Sequence, residues 1–569
     1  MLLTRKMSSL HKTYPDLAPL TSFTGGTVLR NEPFSFQIAY KLMNEPAPMP
    51  LYVQVETQLP VASYRLDYIP LLSGYNVGSD GGEERTAPGL YPDILQPRQT
   101  NAQIIVHHYG NNRAYEHNER NLLTAAPECW QSLWFTVNEE GQSLTPGTYD
   151  ITVRIYAARD QSLQSEQTVQ VKLLPAELPP QSLMCTNWYY ADCMCDAHDV
   201  EPYSDRFFEI LETYARTAAL HGTNMILTPF FTPPLGTAIG YERKRVQMVK
   251  VKAEETADGW KYSFDFSVAK RFIDTCRKGG VTHFEHSHFF TQWGAKAAPA
   301  IYADVNGEDK RIFGWDTPSN GEAYVGFLHQ YIPAVRTFLR EEGLEDKTLF
   351  HYSDEPNDTN IEYYAAAVNG IKHLLKGCMA GDALSHYEFF EQGIIDLPIP
   401  GTCAIHQFLG KCEHQWCYYL GSWMRNRLPN RVLNIPSPRN RIIGMQLYRY
   451  NVEGLLHWGF NHCYGTLGSG CYDPFSYPGG WDLIPGSGFV VYPSRDGRAI
   501  PSLRLKVLSE GLNDMRALQA LEALTDRETV YALLDRLFGG KLTFNSCPES
   551  PEELLEIRRA INDEIEKHC

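Results

Sequence analysis

No run of eighteen apolar residues occurs in this 569-residue sequence, which leaves no segment able to cross a membrane as a helix. The opening "MLLTRKMSSLHKTYPD" has polar residues where the apolar part of a secretory leader would lie, so the chain is expected in the cytoplasm. A Lys/Arg-dense stretch is also missing and the formal net charge is −16, a balance that argues against a nucleic-acid partner. The 13 cysteines are odd in number and lack framework spacing, which fits reduced thiols better than a disulfide scaffold. A glycine-rich dinucleotide turn is absent, and no cofactor is expected.

What the chain does have is ordinary hydrophobic and charged content over a length well past the ~250–300 residues that one core organises. More than one domain is therefore expected. Many of its 33 Tyr and 10 Trp cluster with Gly, Asn and Asp instead of falling into periodic runs. A flat ring with a polar tip covers the C–H face of a sugar, although a large core would use the same residues. Nothing in the composition opposes a homo-oligomer.

The first third alternates short β-rich runs with turn signals: "FSFQIAYKL", "LYVQVETQL", "NAQIIVHHY", "QSLWFTVNEEG", "GTYDITVRIYAA" and "QTVQVKLLP". Period-2 alternation predicts an antiparallel β-sandwich over residues 1–180 with one buried face per strand. The insert "LLSGYNVGSDGGEERTAPGLYPDILQP" reads as a surface loop, and the proline-rich "LLPAELPPQS" as the boundary. Strand and helix patterns then alternate through residues 181–505, which predicts a (β/α)₈ barrel of the TIM type. Its strands are expected at "LMCTNWYY", "NMILTPFF", "VTHFEHSHFF", "TLFHYSDEP", "GCMAGDALSH", "GTCAIHQF", "CYYLGSW" and "EGLLHWGFN". Residues 506–569 read as a helical segment, and "SPEELLEIRRAINDEIEKHC" opens with a capping signal.

One stretch carries chemistry. "TLFHYSDEPND" places Asp354 and Glu355 side by side at the expected end of the fourth strand, where parallel barrels keep their catalytic groups. Successive strand residues face opposite sides, so the two share a pocket only if the strand stops there. Pro356 favours that stop and is expected to hold Glu355 extended. Two adjacent carboxylates resist joint ionisation, which raises one pKa and creates a general acid.

"FHYSDEP" together with "VYPSRDGRAIPSLRLKVLSEGLNDMRALQALE" resembles glycoside hydrolase family 123 and the related domain-of-unknown-function family 4091. "YPDILQP" and "SLWFTVNEEGQSLTPGTYDITV" resemble that group's β-sandwich, so the likeness runs from about residue 85 to about 525. The resemblance implies an exo-acting, retaining β-N-acetylgalactosaminidase that uses substrate-assisted catalysis. It also implies that Asp354 orients and polarises the 2-acetamido group while Glu355 is the acid/base. The expected partner is an oligosaccharide or glycoconjugate ending in an N-acetylhexosamine.

The ordinary retaining scheme needs a second carboxylate about 5–5.5 Å from the acid. Glu413 lies in a Cys- and His-rich turn, Glu453 precedes its strand at the barrel bottom, and Asp382 and Glu388 flank the fifth strand. An acetamido oxygen already tethered to the sugar makes such a nucleophile unnecessary. For the pocket walls, Trp458 and Asn461 follow the eighth strand, Tyr387 is set to bond the acetamido carbonyl, and Asn187 and Trp188 close the first strand. His288 and Trp293 close the third strand and Trp423 the seventh, although each of these residues suits core or rim equally. Metal ligation is not expected. On a strand His283 and Glu285 face away from His286 and His288, and Cys412, His414 and Cys417 lack a CxxC pair. The competing readings are a non-catalytic carbohydrate-binding protein and a hydrolase of a different β-glycoside on the same fold.

Overall fold

The computed structural model describes residues 1–72, 80, 82–101, 105–109, 112–116, 123–419, 425–465, 468, 470–479 and 484–569. Two five-stranded sheets form the N-terminal sandwich. One runs in the order Leu2–Ser8, Phe34–Leu42, Trp130–Val137, Val61–Leu71, Gly89–Arg98; the other runs Gly25–Leu29, Leu163–Leu174, Gly147–Ala157, Met49–Glu56, Leu123–Ala125. Alternation works as expected in Gly147–Ala157, where Ile151, Val153 and Ile155 meet Phe36, Ile38, Leu133 and Phe135 across the sandwich. Trp130–Val137 departs from the one-face expectation. Trp134 on its other side is fully buried, against the helices that follow the barrel. The supposed surface insert departs too, because its end, Gly89–Arg98, pairs antiparallel with Val61–Leu71. "NAQIIVHHY" supplies Ile105–Tyr109 of a separate two-stranded hairpin.

Eight parallel strands follow: β1 (Met184–Asn187), β2 (Met225–Thr228), β3 (His283–His286), β4 (Thr348–Phe350), β5 (Met379–Ala383), β6 (Leu397–Ile399), β7 (Trp416–Tyr418) and β8 (Gly454–His457). They pair in the order 6-5-4-3-2-1-8-7, and a bridge between Gly401 and Tyr418 brings β6 beside β7 to make a nearly closed barrel. The sixth strand is Leu397–Ile399; "GTCAIHQF" instead forms the turns and short 3₁₀ helix after it. Long helices cross back after β1 to β4, yet only Glu388–Glu391 follows β5 and only a 3₁₀ turn follows β6, so the regular (β/α)₈ alternation is incomplete. The loops after β2 and β3 add a four-stranded sheet. Among the described residues no helix is long and apolar enough to cross a membrane.

The helix Leu503–Leu524 starts at Ser502, whose hydroxyl accepts from the Leu505 N–H, so a boundary at 505/506 falls inside it. This helix is buried on every side, and its charges are met by ion pairs. Arg504 makes two 2.9 Å bonds to Asp93 of the sandwich; Glu510 and Asp514 take Arg441, and Asp514 also takes Arg558, which reaches Glu32. The "PSLRLKVLSEGLND" motif therefore joins barrel to sandwich and stands apart from the acid pair.

Candidate active site

The acid pair sits where β4 runs out. Leu349 faces the barrel interior while Phe350 and Tyr352 pack outward into the helix layer. Beyond Phe350 the neighbouring strand offers a side chain in place of its ladder: Asp382 on β5 accepts the Tyr352 and Ser353 N–H groups at 2.9 Å each, and the Tyr364 hydroxyl at 2.6 Å. Two more bonds pin the next peptides. The Trp293 N–H donates to the Asp354 carbonyl at 2.7 Å, and the Glu355 N–H donates to the Ala383 carbonyl at 3.0 Å.

Glu355 is not extended. Its φ is +44°, in the left-handed region, at a cost of about 1–3 kcal/mol for a residue that is not glycine. Pro356 disfavours only the right-handed helical region, and the two flanking bonds select the left-handed turn. This turn breaks the strand alternation that would send the two acids to opposite faces. Asp354 and Glu355 are both half-buried, with protein crowding what water does not reach. Burial, then the charges of Glu355 and Asp382, push the Asp354 carboxyl well above its usual range, against a smaller opposing pull from His351. Burial also raises Glu355, while the Tyr418 hydroxyl, donating at 2.7 Å to Oε1, opposes the rise.

Beneath the pair lies a buried ionic network. Glu285 on β3 takes the Trp188 indole N–H at 2.9 Å, the Thr186 hydroxyl, and His351 Nε2 at 2.7 Å; His351 Nδ1 faces Asp382 at 3.5 Å. Although burial opposes charge, the two carboxylates raise His351 to about 9, so it is an imidazolium at neutral pH. His288, His351 and Asp382 do bring ligand atoms within 4.8 Å of one another. Within that group His351 Nε2 is bonded to Glu285, and both Asp382 oxygens already accept N–H or hydroxyl groups. Asp358, His386 and Glu388 form a second, exposed group, in which His386 Nδ1 lies 2.6 Å from Asp358.

The predicted walls divide. Trp293 is 45% exposed, with its backbone bonded to Asp354, and Trp458 is half-buried beside His457 and His462 at the exit of β8. Five others are packed or bonded within the protein. Asn187 is buried, donating to Thr223 at 2.6 Å and accepting from Arg431; Asn461 clamps both backbone polar groups of Tyr190. Trp188 is buried against His288 and His351, and His288 stacks on His351 at 4.5 Å with neither ring nitrogen bonded. Tyr387 packs on Phe390 and Phe408 under the Lys411 ammonium. Trp423 lies outside the described residues. Glu285 and His288 both reach His351, so the expected split between faces fails because β3 ends at His286. Cys417 is buried among apolar side chains, whereas His414 pairs with Glu453 at 2.8 Å.

Sequence reasoning passed over Tyr418 and His351, and weighed Glu285 only as a metal ligand. Period 2 from Leu349 points His351 and Ser353 inward, a signal that was legible. Nothing local announces that Tyr418, of the two adjacent tyrosines, meets Glu355.

A parallel barrel with a desolvated acid pair at its C-terminal rim has the layout of a barrel hydrolase. The model of "Glycoside hydrolase 123, catalytic domain" matches residues 188–521, more than half of the sequence, and the chain belongs to glycoside hydrolase family 123. A solved family 123 glycoside hydrolase from Clostridium perfringens, studied for glycolipid glycan hydrolysis, aligns with a TM-score of 0.71 at 13% identity, covering 100% of this chain and 99% of that one. At that identity the likeness is one of fold. Two β-glucuronidases align at a TM-score of 0.29. A calcium-binding mutant of Bacteroides uniformis β-glucuronidase 2 has 10% identity over 88% of this chain and 49% of its own. The Ruminococcus gnavus enzyme with uronic isofagomine has 7% over 84% and 66%. No curated protein matches the chain.

Proposed function

We propose that this glycosidase releases terminal β-linked N-acetylgalactosamine from glycans with retention of configuration, the sugar's own 2-acetamido oxygen serving as nucleophile. Asp354 accepts the acetamido N–H and directs its carbonyl oxygen at the anomeric carbon. Glu355 protonates the departing oxygen and then takes a proton from the water that opens the oxazoline. The observation that carries this reading is the state of Asp382. This acid, on the strand next to the pair, is fully buried and holds two N–H groups and a hydroxyl, so it has no reach toward an anomeric carbon. Glu413 and Glu453 line a cavity at the opposite end of the barrel.

The raised pKa values give the pair a priming step. Burial raises both carboxyls, and the charges of Glu355 and Asp382 add to the rise at Asp354, so the two resist joint ionisation. An acetamido N–H at Asp354 stabilises its ionised form and so favours the proton on Glu355, where the leaving group needs it. A panel of nitrophenyl β-glycosides is the test. Hydrolysis of the N-acetyl-β-galactosaminide, with competitive inhibition by its thiazoline, is expected. Turnover of plain galactosides or glucosides alone, or a fluorosugar ester trapped on Asp382 or Glu388, would overturn the proposal.

A further inference from the structure

Past Asn461 the chain leaving β8 doubles back. Tyr464 bridges Cys471 in antiparallel fashion, the Tyr472 N–H donates to the Cys463 carbonyl at 2.7 Å, and the Gly465 N–H donates to the Gly470 carbonyl at 2.5 Å. This backbone pairing sets the Cys463 and Cys471 sulfurs 3.0 Å apart. A disulfide needs about 2.05 Å, so an approach of about 1 Å separates the two thiols from a bond. Cys463 is buried and Cys471 is exposed.

We propose that Cys463 and Cys471 form a reversible thiol-oxidation site whose co-reactant is a small-molecule disulfide such as oxidised glutathione. Cys471, open to solvent, is the attacking thiol. The Cys463 sulfur 3.0 Å away also holds the Cys471 thiol below its ordinary pKa, while Cys463 itself is held above its own by Cys193 and Cys471, which makes Cys471 the more nucleophilic of the two. Attack of the Cys471 thiolate on glutathione disulfide forms a mixed disulfide and expels one glutathione thiolate, which takes up the Cys471 proton. The Cys463 sulfur then gives up its proton, attacks Cys471 Sγ and expels the second glutathione. Two protein thiols are oxidised by two electrons and the glutathione disulfide is reduced to two thiols. The third thiol nearby, Cys193, is fully buried and accepts from the Cys463 N–H at 3.4 Å and from Arg243 at 3.3 Å, so it sits behind the pair, away from solvent. The new bond ties the shoulder on which Asn461 clamps Tyr190 and His462 braces Trp458.

The test is intact-mass and peptide mapping of the native full chain, equilibrated in reduced and then oxidised glutathione buffers. The wild type is expected to lose two hydrogens, reversibly, with Cys463 and Cys471 in one cross-linked peptide. Cys463→Ser is expected to stop at a glutathione adduct on Cys471, and Cys471→Ser to leave Cys463 unmodified. No change in the wild type, a stable glutathione adduct on wild-type Cys471, or a bond joining Cys193 to Cys463 would each overturn the proposal. These readouts do not depend on which sugar the enzyme cleaves.

Discussion

The two ends of the barrel each hold a pair of acids, and they treat them in opposite ways. At the N-terminal end Glu413 and Glu453 line a cavity of about 770 Å³, bounded by strand-first residues such as Met184, Met379 and Trp416, and Glu453 pairs with the exposed His414. At the C-terminal end Asp354 and Glu355 are crowded by protein, faced by one another and held by backbone bonds to the loop after β3 and to the last residue of β5. Size decides what fits, whereas desolvation and coupling decide what can move a proton.

The largest break in this contrast comes from Glu355→Gln and Asp354→Asn. Each is expected to lower kcat on the nitrophenyl N-acetyl-β-galactosaminide by ~10²–10⁴-fold without unfolding. A better leaving group should restore part of the Glu355→Gln loss and none of the Asp354→Asn loss. Next comes Asp382→Asn, which sets an amide N–H₂ against the N–H groups of Tyr352 or Ser353 and removes one partner of His351. A loss of about 3–5 kcal/mol is expected by denaturant unfolding, as for other broken buried pairs.

Tyr418→Phe sharpens the comparison more gently. The hydroxyl opposes the rise in the Glu355 pKa, so removing it raises that pKa further and moves the basic limb of the kcat profile to higher pH. A limb that stays in place would separate Tyr418 from the acid. His351 gives a related stability signature. Its pKa is raised from 6.5 to about 9, so its contribution is complete below 6.5 and lost as pH climbs through about 9. The denaturation midpoint should fall across that window in the wild type and not in His351→Gln. Smallest of all, Glu453→Gln at the other end should change stability by less than ~0.5 kcal/mol and leave kcat unaltered.

Much of the fold was legible because its signals are local. Period-2 alternation located five of the ten sandwich strands, and the repeated strand and helix patterns located seven of the eight barrel strands. The sixth strand is only Leu397–Ile399 between a proline and a turn, too short to carry a pattern, so "GTCAIHQF" stood in for it. In the site, the acid pair stood out through its neighbours, an apolar run before and a proline after. Asn187, Trp188, His288 and Asn461 suited core or rim equally, and all four are buried, because residues at strand ends look alike in sequence whether they meet substrate or one another.

By itself the sequence determined the order of β-rich and alternating segments, the place of the two acids at a strand end, and the family whose pattern they match. Those features depend on spacing along one strand and its turn. The tertiary structure alone decided that Glu355 takes a left-handed φ, that Tyr418 on β7 donates to it, and that Asp382 is committed to holding β4. Each of these arises between strands far apart in the chain, where burial raises one carboxyl's pKa and saturates another with hydrogen bonds, and no local spacing records which will be which.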